Sequence, residues 1–375
     1  MPHSPMINYF DYIPGYLQIK DEIEKAIRRV IDSGQLILGP EVRAFEREFA
    51  AYTGVHGAVG VGSGTDALVL ALQALGISPG DEIITVANGG VPPVAAIRAI
   101  GAVPRFVDVD PGTLLMDRTL LETALTDRTR CILPVHLYGQ PAPMYPILEF
   151  AAAHKLRVVE DCAQAHGSFY DGRHVGGFGD IGCFSFYPTK NLGAFGDGGL
   201  CVTDDPALEE HLRMLRFYGF RNDRHAHCDG INSRLDELQA AILRVKLRHL
   251  SDAIETRREI ARTYRNSLAG SSFRLTGEAK DGTHAYHLFV IRTPDRTQAI
   301  DALNRAAIGY GIHYPEPVHL MEAYRHLGGM QGDLPVTEAA CDSVISLPIY
   351  PGLSLSDARR VADTLLSLAL RESLP

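Results

Sequence analysis

The chain has 375 residues, 46% of them hydrophobic and 22% charged, proportions that exclude a fibrous or disordered class. This length exceeds what one hydrophobic core organises, so a large α/β domain with a smaller companion is expected. Lys and Arg total 36 against 45 Asp and Glu, a net charge of −9 that argues against a general nucleic-acid binder, because no excess of cations is available to displace counterions from phosphates.

From about residue 58 to residue 215, strand-like apolar runs alternate with helical patterns. AVGV (58–61) precedes the helix TDALVLALQAL (65–75), EIITVA (82–87) precedes VPPVAAIRAI (91–100), and PRFVDV (104–109) precedes RTLLETAL (118–125). RCILPV (130–135) leads to PMYPILEFAAAHK (143–155), and LRVVE (156–160), IGCFSFY (181–187) and LCVT (200–203) follow. This alternation predicts a mainly parallel sheet covered by helices on both faces. NSRLDELQAAILRVKLRHL (232–250) reads as one long helix with Leu235, Leu238, Ile242 and Val245 on an apolar stripe and Asn232 or Ser233 as its cap. Beyond it, HAYHLFVIR (284–292), a helix from Arg296 to Ala307, GIHYP (311–315) and a closing helix from Ser356 to Leu370 suggest a smaller α/β lobe. The expected division is 1–250 for a large cofactor-binding domain and 251–375 for a small C-terminal one.

Other features bound the function. No apolar run reaches the roughly 18 residues of a membrane span. MPHSPMINYFDYIPGY at the start lacks a basic region followed by an apolar one, which points to a cytoplasmic protein. The six cysteines form no C-x-x-C pair and mostly sit in apolar runs, so reduced, buried thiols and no zinc site are expected. Arg213, Arg216, Arg221 and Arg224 form a local basic cluster.

Ligands of such sheets bind at the carboxyl ends of the strands, and three strand ends stand out. The first is GSGTD (62–66), where glycines let the backbone approach a ligand while Ser63, Gly64 and Thr65 aim N–H groups at it from a helix start, an arrangement suited to a phosphate. It matches neither G-x-G-x-x-G nor a P-loop, and alone it reads equally well as a tight turn. The second is Asp161, an acid directly after buried valines, which needs a cation or a hydrogen-bond donor to stay charged; a loop cap is the competing reading. The third carries Ser185, Thr189 and Lys190 in SFYPTKNLGAFGDGG (185–199), where an isolated lysine would ordinarily be a solvated loop residue. A phosphate-suited turn, a carboxylate and a lysine on one sheet are together what a pyridoxal phosphate site requires.

At these residues the sequence resembles the DegT/DnrJ/EryC1/StrS family of sugar aminotransferases, within fold type I of the pyridoxal phosphate enzymes. The matching motifs are GSGTDALVLALQALGISPGDEIITVAN (62–88), PVHLYGQP (134–141), EDCAQAHG (160–167), SFYPTKNLGAFGDGG (185–199), NSRLDELQAAILRVKL (232–247), HYPEPVHL (313–320) and DLPVTE (333–338). SGQLILG (33–39) and LMD (115–117) further resemble the branch that aminates the 3-keto position of nucleotide-linked deoxysugars, of the daunosamine type.

The resemblance implies that Lys190 forms the Schiff base with the cofactor and, once freed, moves the proton between substrate and cofactor. It implies that Asp161 pairs with the pyridine nitrogen, that Gln164 bonds the ring's phenolic oxygen, and that Ser63, Gly64, Thr65 and Ser185 hold the phosphate. Asn232 would complete the phosphate site from a neighbouring subunit, making a homodimer the working unit. Arg216, Tyr218, Tyr314 and His319 are candidate sugar-nucleotide contacts, His319 competing with a surface-histidine reading. The implied reaction takes an amino group from L-glutamate or L-glutamine and gives it to a nucleoside-diphosphate-linked keto-deoxysugar in two half-reactions. The favoured acceptor is a dTDP-3-keto-6-deoxyhexose. Amination of a 4-keto dTDP- or UDP-sugar, and a pyridoxal phosphate-binding regulator without turnover, stay open. Histidine replaces the lysine in a related dehydratase branch, and Lys190 argues against that branch.

One stretch departs from the family pattern. Where members commonly place an aromatic residue over the cofactor ring, this chain reads NGGVPP (88–93), so Val91 or Pro92 is expected to cover that face, or the ring is held more loosely.

Overall fold

A computed structural model describes residues 6–221 and 223–372. Its centre is a seven-stranded sheet in the order Gly57–Val61, Gly199–Thr203, Ile181–Ser185, Arg157–Asp161, Thr129–Ile132, Glu82–Val86, Val103–Val107. Every pairing from Ile181–Ser185 across to Val103–Val107 is parallel. Gly199–Thr203 is antiparallel to both its neighbours. Two successive reversals restore the original direction, so Gly57–Val61 runs the same way as Ile181–Ser185 and Arg157–Asp161. The carboxyl ends of these three strands therefore fall on one edge, and the three motifs singled out above follow them.

Gly57–Val61, Glu82–Val86 and Gly199–Thr203 are buried at every position, as expected of strands covered on both faces. Helices Gly64–Ala74, Val91–Ala99 and Met144–His154 stand where their periodicity placed them. The pattern at 118–125 instead forms a 3₁₀ turn, Arg118–Leu120, and a four-residue helix, Leu121–Ala124.

The expected helix over 232–250 starts later, at Glu237, and ends at Arg248; a second helix, Leu250–Leu268, follows after His249. Residues 232–236 are instead drawn into two isolated bridges, Asn232 with Phe217 and Asp236 with Ile37. Ser233 caps nothing, because its hydroxyl is engaged with Gly62 and Asp66. Of HAYHLFVIR only Phe289–Arg292 forms a strand, between Arg274–Leu275 and Val344–Leu347. Ile260, Tyr264, Phe289, Ile345, Val361 and Leu365 build a separate apolar cluster there, which Ile7 from the N-terminal segment joins.

Candidate active site

The phosphate-suited turn forms as a helix start. Ser63 is the N-cap, with extended backbone and a hydroxyl that accepts the Asp66 N–H at 3.1 Å. The N–H groups of Gly64 and Thr65 have no acceptor within the helix at such a start, and residues 62–66 are half-buried between the buried Val61 and Ala67. Two glycines permit this geometry. A Cβ on Gly64 would stand 2.5 Å from Ser185 Cβ, and one on Gly199 would stand 2.1 Å from the Ser63 carbonyl oxygen. Ser185 and the turn thus share one small space. Ser233, which the sequence suggested only as a helix cap, locks it: Gly62 N–H donates to the Ser233 hydroxyl at 2.9 Å, and that hydroxyl donates to Asp66 at 2.7 Å.

Asp161 ends the middle strand of the sheet and is buried. Its Oδ1 accepts the Ala163 N–H at 3.0 Å, and Oδ2 has no hydrogen bond among the described residues. Burial raises its pKa, an effect opposed by the Ala163 N–H, by Lys190 and by His136. The carboxylate is therefore short of positive charge, as a partner for a protonated ring nitrogen should be.

Lys190 follows the neighbouring strand. By exposed area it is half-buried, yet its ammonium is surrounded by protein, and the loss of water lowers its pKa while Asp161 opposes the shift. No hydrogen bond or ion pair to this ammonium occurs among the described residues. His166, His287 and His313 stand within its field, and burial followed by the Lys190 charge holds all three below their usual pKa, His313 at about 4. Around neutral pH the lysine is thus ringed by uncharged imidazoles, and Asp161 is the carboxylate whose charge it feels.

Gln164 is oriented from both ends. Its Oε1 accepts the Tyr138 N–H at 2.7 Å, and its Nε2 donates to the Tyr314 hydroxyl at 3.1 Å. One N–H of that amide stays available. Tyr138 sits at φ 62, a strained conformation for a bulky residue, of the kind kept where the surroundings require it. Sequence reasoning quoted the LYG tripeptide without giving Tyr138 a role, because nothing in residue type or spacing reveals a backbone N–H aimed at a glutamine 26 residues away.

Other predicted residues stand elsewhere. Arg216 is buried and committed to Glu46 at 2.5 Å and the Gly60 carbonyl at 2.8 Å, so it braces the first strand and has little reach toward a sugar nucleotide. Arg213 pairs with Glu46 and Glu209, and Arg221 with Glu210, which neutralises most of the basic cluster. His319 is buried against Glu338 at 3.1 Å, and Glu338 also collects the Gly332 and Leu334 N–H groups. This histidine fastens PVHL to DLPVTE and is not a surface group. Asn232 and Tyr218 are exposed on adjoining backbone, with Tyr218 N–H donating to Ile231. Val91 and Pro92 are exposed at the start of their helix.

The buried trio His136, Glu160 and Cys162 has metal-ligand chemistry, but the donors of His136 and Glu160 are consumed internally. His136 Nδ1 accepts the Ala142 N–H, its Nε2 meets Glu160 at 3.0 Å, and Glu160 takes three backbone N–H groups, from Gly176, Phe178 and Gly179. Cys131, Cys162, Cys183, Cys201 and Cys341 are buried, and none of the six cysteines is in a disulfide.

A lysine ammonium and a carboxylate oxygen left without hydrogen bonds, with a helix start open to an anion, fit pyridoxal phosphate, whose aldehyde, ring nitrogen and phosphate need these three partners.

Comparison with known proteins decides the family. Residues 17–366 match the DegT/DnrJ/EryC1/StrS aminotransferase family. The chain belongs to this family. It is 46% identical over 369 residues, 98% of this chain and 97% of the relative, to dTDP-3-amino-3,4,6-trideoxy-alpha-D-glucose transaminase of Streptomyces venezuelae. It is 45% identical over 364 residues, 96% of this chain and 98% of the relative, to the erythromycin biosynthesis sensory transduction protein EryC1 of Saccharopolyspora erythraea. Among solved structures, S. venezuelae DesV in complex with a ketimine intermediate superposes with a TM-score of 0.96 at 46% identity, covering 98% of this chain and 99% of that one. As a member of the DegT/DnrJ/EryC1/StrS family, the protein is a pyridoxal phosphate-dependent aminotransferase of the fold type I architecture.

Proposed function

We propose that this aminotransferase moves an amino group from L-glutamate or L-glutamine to a nucleotide-linked keto-deoxysugar, with a dTDP-3-keto-6-deoxyhexose as the acceptor. The observation that carries the reading is the convergence of Lys190, Asp161 and the Ser63 helix start on one edge of one sheet, joined by 46% identity to a dTDP-3-amino sugar transaminase over nearly the whole chain.

When bound, pyridoxal phosphate supplies an electron sink for the carbon that gains or loses the amine. The chain's residues do the rest. Asp161, left short of positive charge, favours a protonated ring nitrogen. Gly64 and Thr65 N–H groups with Ser185 hold the phosphate, and the available Gln164 N–H serves the phenolic oxygen. The depressed pKa of Lys190 lets its amine carry a proton to and from the substrate carbon near neutral pH.

Shared sites in a homodimer are part of this proposal. Asn232 is exposed, and Leu36, Ile37, Tyr187, Phe195, Tyr218 and Ile231 present apolar surface on segments that adjoin it or Lys190. A cytoplasmic location and a division near residue 250 are likewise proposed. The buried unpaired thiols support the first, and the separate apolar cluster around Tyr264 supports the second.

The test starts from purified protein loaded with pyridoxal phosphate. L-glutamate should convert its absorption to that of the amine form, and 3-keto dTDP-sugar should restore it, while Lys190→Ala should lose the covalent absorption band. A mutant spectrum identical to wild type removes the assignment of Lys190. Restoration by 4-keto sugars alone would move the amination site. Failure of both amino donors to change the spectrum would favour a regulator, a reading that the name of the EryC1 relative keeps in view.

A further inference from the structure

The NGGVPP stretch leaves a gap that the tertiary structure fills from the other end of the chain. Gly90 has φ 82 and ψ −178, a conformation essentially reserved for glycine. A Cβ built on it would lie 2.8 Å from Tyr314 Cζ, 3.1 Å from Cε2 and 3.1 Å from the hydroxyl oxygen, so the outer half of the Tyr314 ring rests on the Gly90 backbone. A Cβ on Gly89 would instead meet Val135, at 3.0 Å.

Tyr314 is held there by a closed set of hydrogen bonds. Gln164 Nε2 donates to its hydroxyl at 3.1 Å, Tyr138 N–H donates to Gln164 Oε1 at 2.7 Å, and the Tyr138 hydroxyl donates to the carbonyl of the preceding residue, His313, at 2.5 Å. Its hydroxyl oxygen accepts from Gln164, and its own proton has no acceptor among the described residues. Burial, then the nearby Asp161 charge, pushes the phenol up to about 12, against which the Gln164 bond works, so it stays neutral and keeps that proton.

We propose that Tyr314 is a positioning residue that walls the cofactor pocket on the side Gly90 leaves bare, and that its hydroxyl aims the Gln164 amide at the cofactor. The proposal rests on the pyridoxal phosphate reading given above. Gly90 is glycine here because the wall comes from the C-terminal lobe and lies against its backbone. Cofactor binding is thereby tied to the docking of the 313–320 segment on the large domain.

The experiment titrates pyridoxal phosphate into cofactor-free wild type, Tyr314→Ala, Tyr314→Phe, Gly90→Ala and the Gly90→Ala/Tyr314→Ala double variant, with circular dichroism confirming folding. Tyr314→Ala is expected to weaken binding about tenfold, the scale of a lost aromatic contact. Gly90→Ala should also weaken it, by displacing the ring and by straining the backbone at φ 82, so the double variant should lose less than the two single losses combined, since the ring that the new methyl would displace is already gone. Tyr314→Phe keeps the wall and should keep affinity within about threefold. It should nevertheless shift the pH at which the bound cofactor's absorption changes, because Gln164 loses its partner. Unchanged affinity in Tyr314→Ala, or additive losses in the double variant, overturns the proposal while leaving the enzyme assignment intact. Wild type that takes up no pyridoxal phosphate overturns both.

Discussion

Glu160 and His136, both inaccessible to solvent, meet at 3.0 Å one residue before Asp161 on the same strand. Burial alone would raise the Glu160 pKa, but the His136 hydrogen bond and charge and the Gly179 and Gly176 N–H groups hold it low. The charged carboxylate thus organises the loop at 136–142 and the turn at 176–179, and the first of these also holds the Asp161 backbone: His136 N–H donates to the Asp161 carbonyl at 3.0 Å.

Removing that carboxylate strands three N–H donors and a histidine in the core. Glu160→Ala is expected to destabilise the fold by about 3–5 kcal/mol, the usual cost of breaking a buried pair from one side. Urea unfolding would measure it, and a loss under about 1 kcal/mol would show that the cluster contributes little.

Gly199→Ala tests the close approach behind the phosphate turn. Its new methyl would meet the Ser63 carbonyl at 2.1 Å and Gly64 N at 2.8 Å, both backbone atoms that cannot swing aside. We expect a stability loss of about 1–3 kcal/mol, typical of overpacking, together with weakened pyridoxal phosphate binding. Gly15→Ala is the control: like Gly199 it has no positive φ, and its new methyl would meet only Pro351, at 3.9 Å. Equal effects at the two sites would refute the crowding argument.

Acid should unfold the protein early. Burial lowers His174 to about 4 and His284 to about 3. An unfolded histidine titrates near 6.5, so below that pH the unfolded chain binds protons the native state refuses. Stability is therefore whole above pH 6.5 and falls as pH drops toward 4, by up to roughly 1.4 kcal/mol per pH unit for each histidine. A denaturation midpoint that stays flat across this window would contradict the assignment, and His174→Gln should reduce the slope.

Shared sites predict complementation. Mixing Lys190→Ala with Asn232→Ala, each inactive alone, should recover partial activity through hybrids with one intact site. If labelled subunits exchange and activity still fails to appear, Asn232 acts within its own chain.

Much of this site is legible in local sequence because each part follows a strand end. Alternating strands and helices predict a mainly parallel sheet, and a sheet of that kind presents Gly62, Asp161, Ser185 and Lys190 at its carboxyl edge whatever the side chains do later. Where prediction went astray, long-range contacts had won over local pattern. Residues 232–236 carry a helical stripe yet are pulled straight, because Asn232 and Asp236 pair with backbone at Phe217 and Ile37 and Ser233 is claimed by Gly62. Arg216 looked like a free cation until Glu46, 170 residues away in sequence, neutralised it in the core.

By itself, then, the sequence determined the fold class and the cofactor and nominated the residues proposed to address its aldehyde, nitrogen and phosphate, since these depend on residue type at strand ends. Only the tertiary structure decided what stands over Gly90. Glycine records the absence of a side chain and carries no word of its neighbour, and Tyr314 reaches it by packing between segments more than 200 positions apart in the chain.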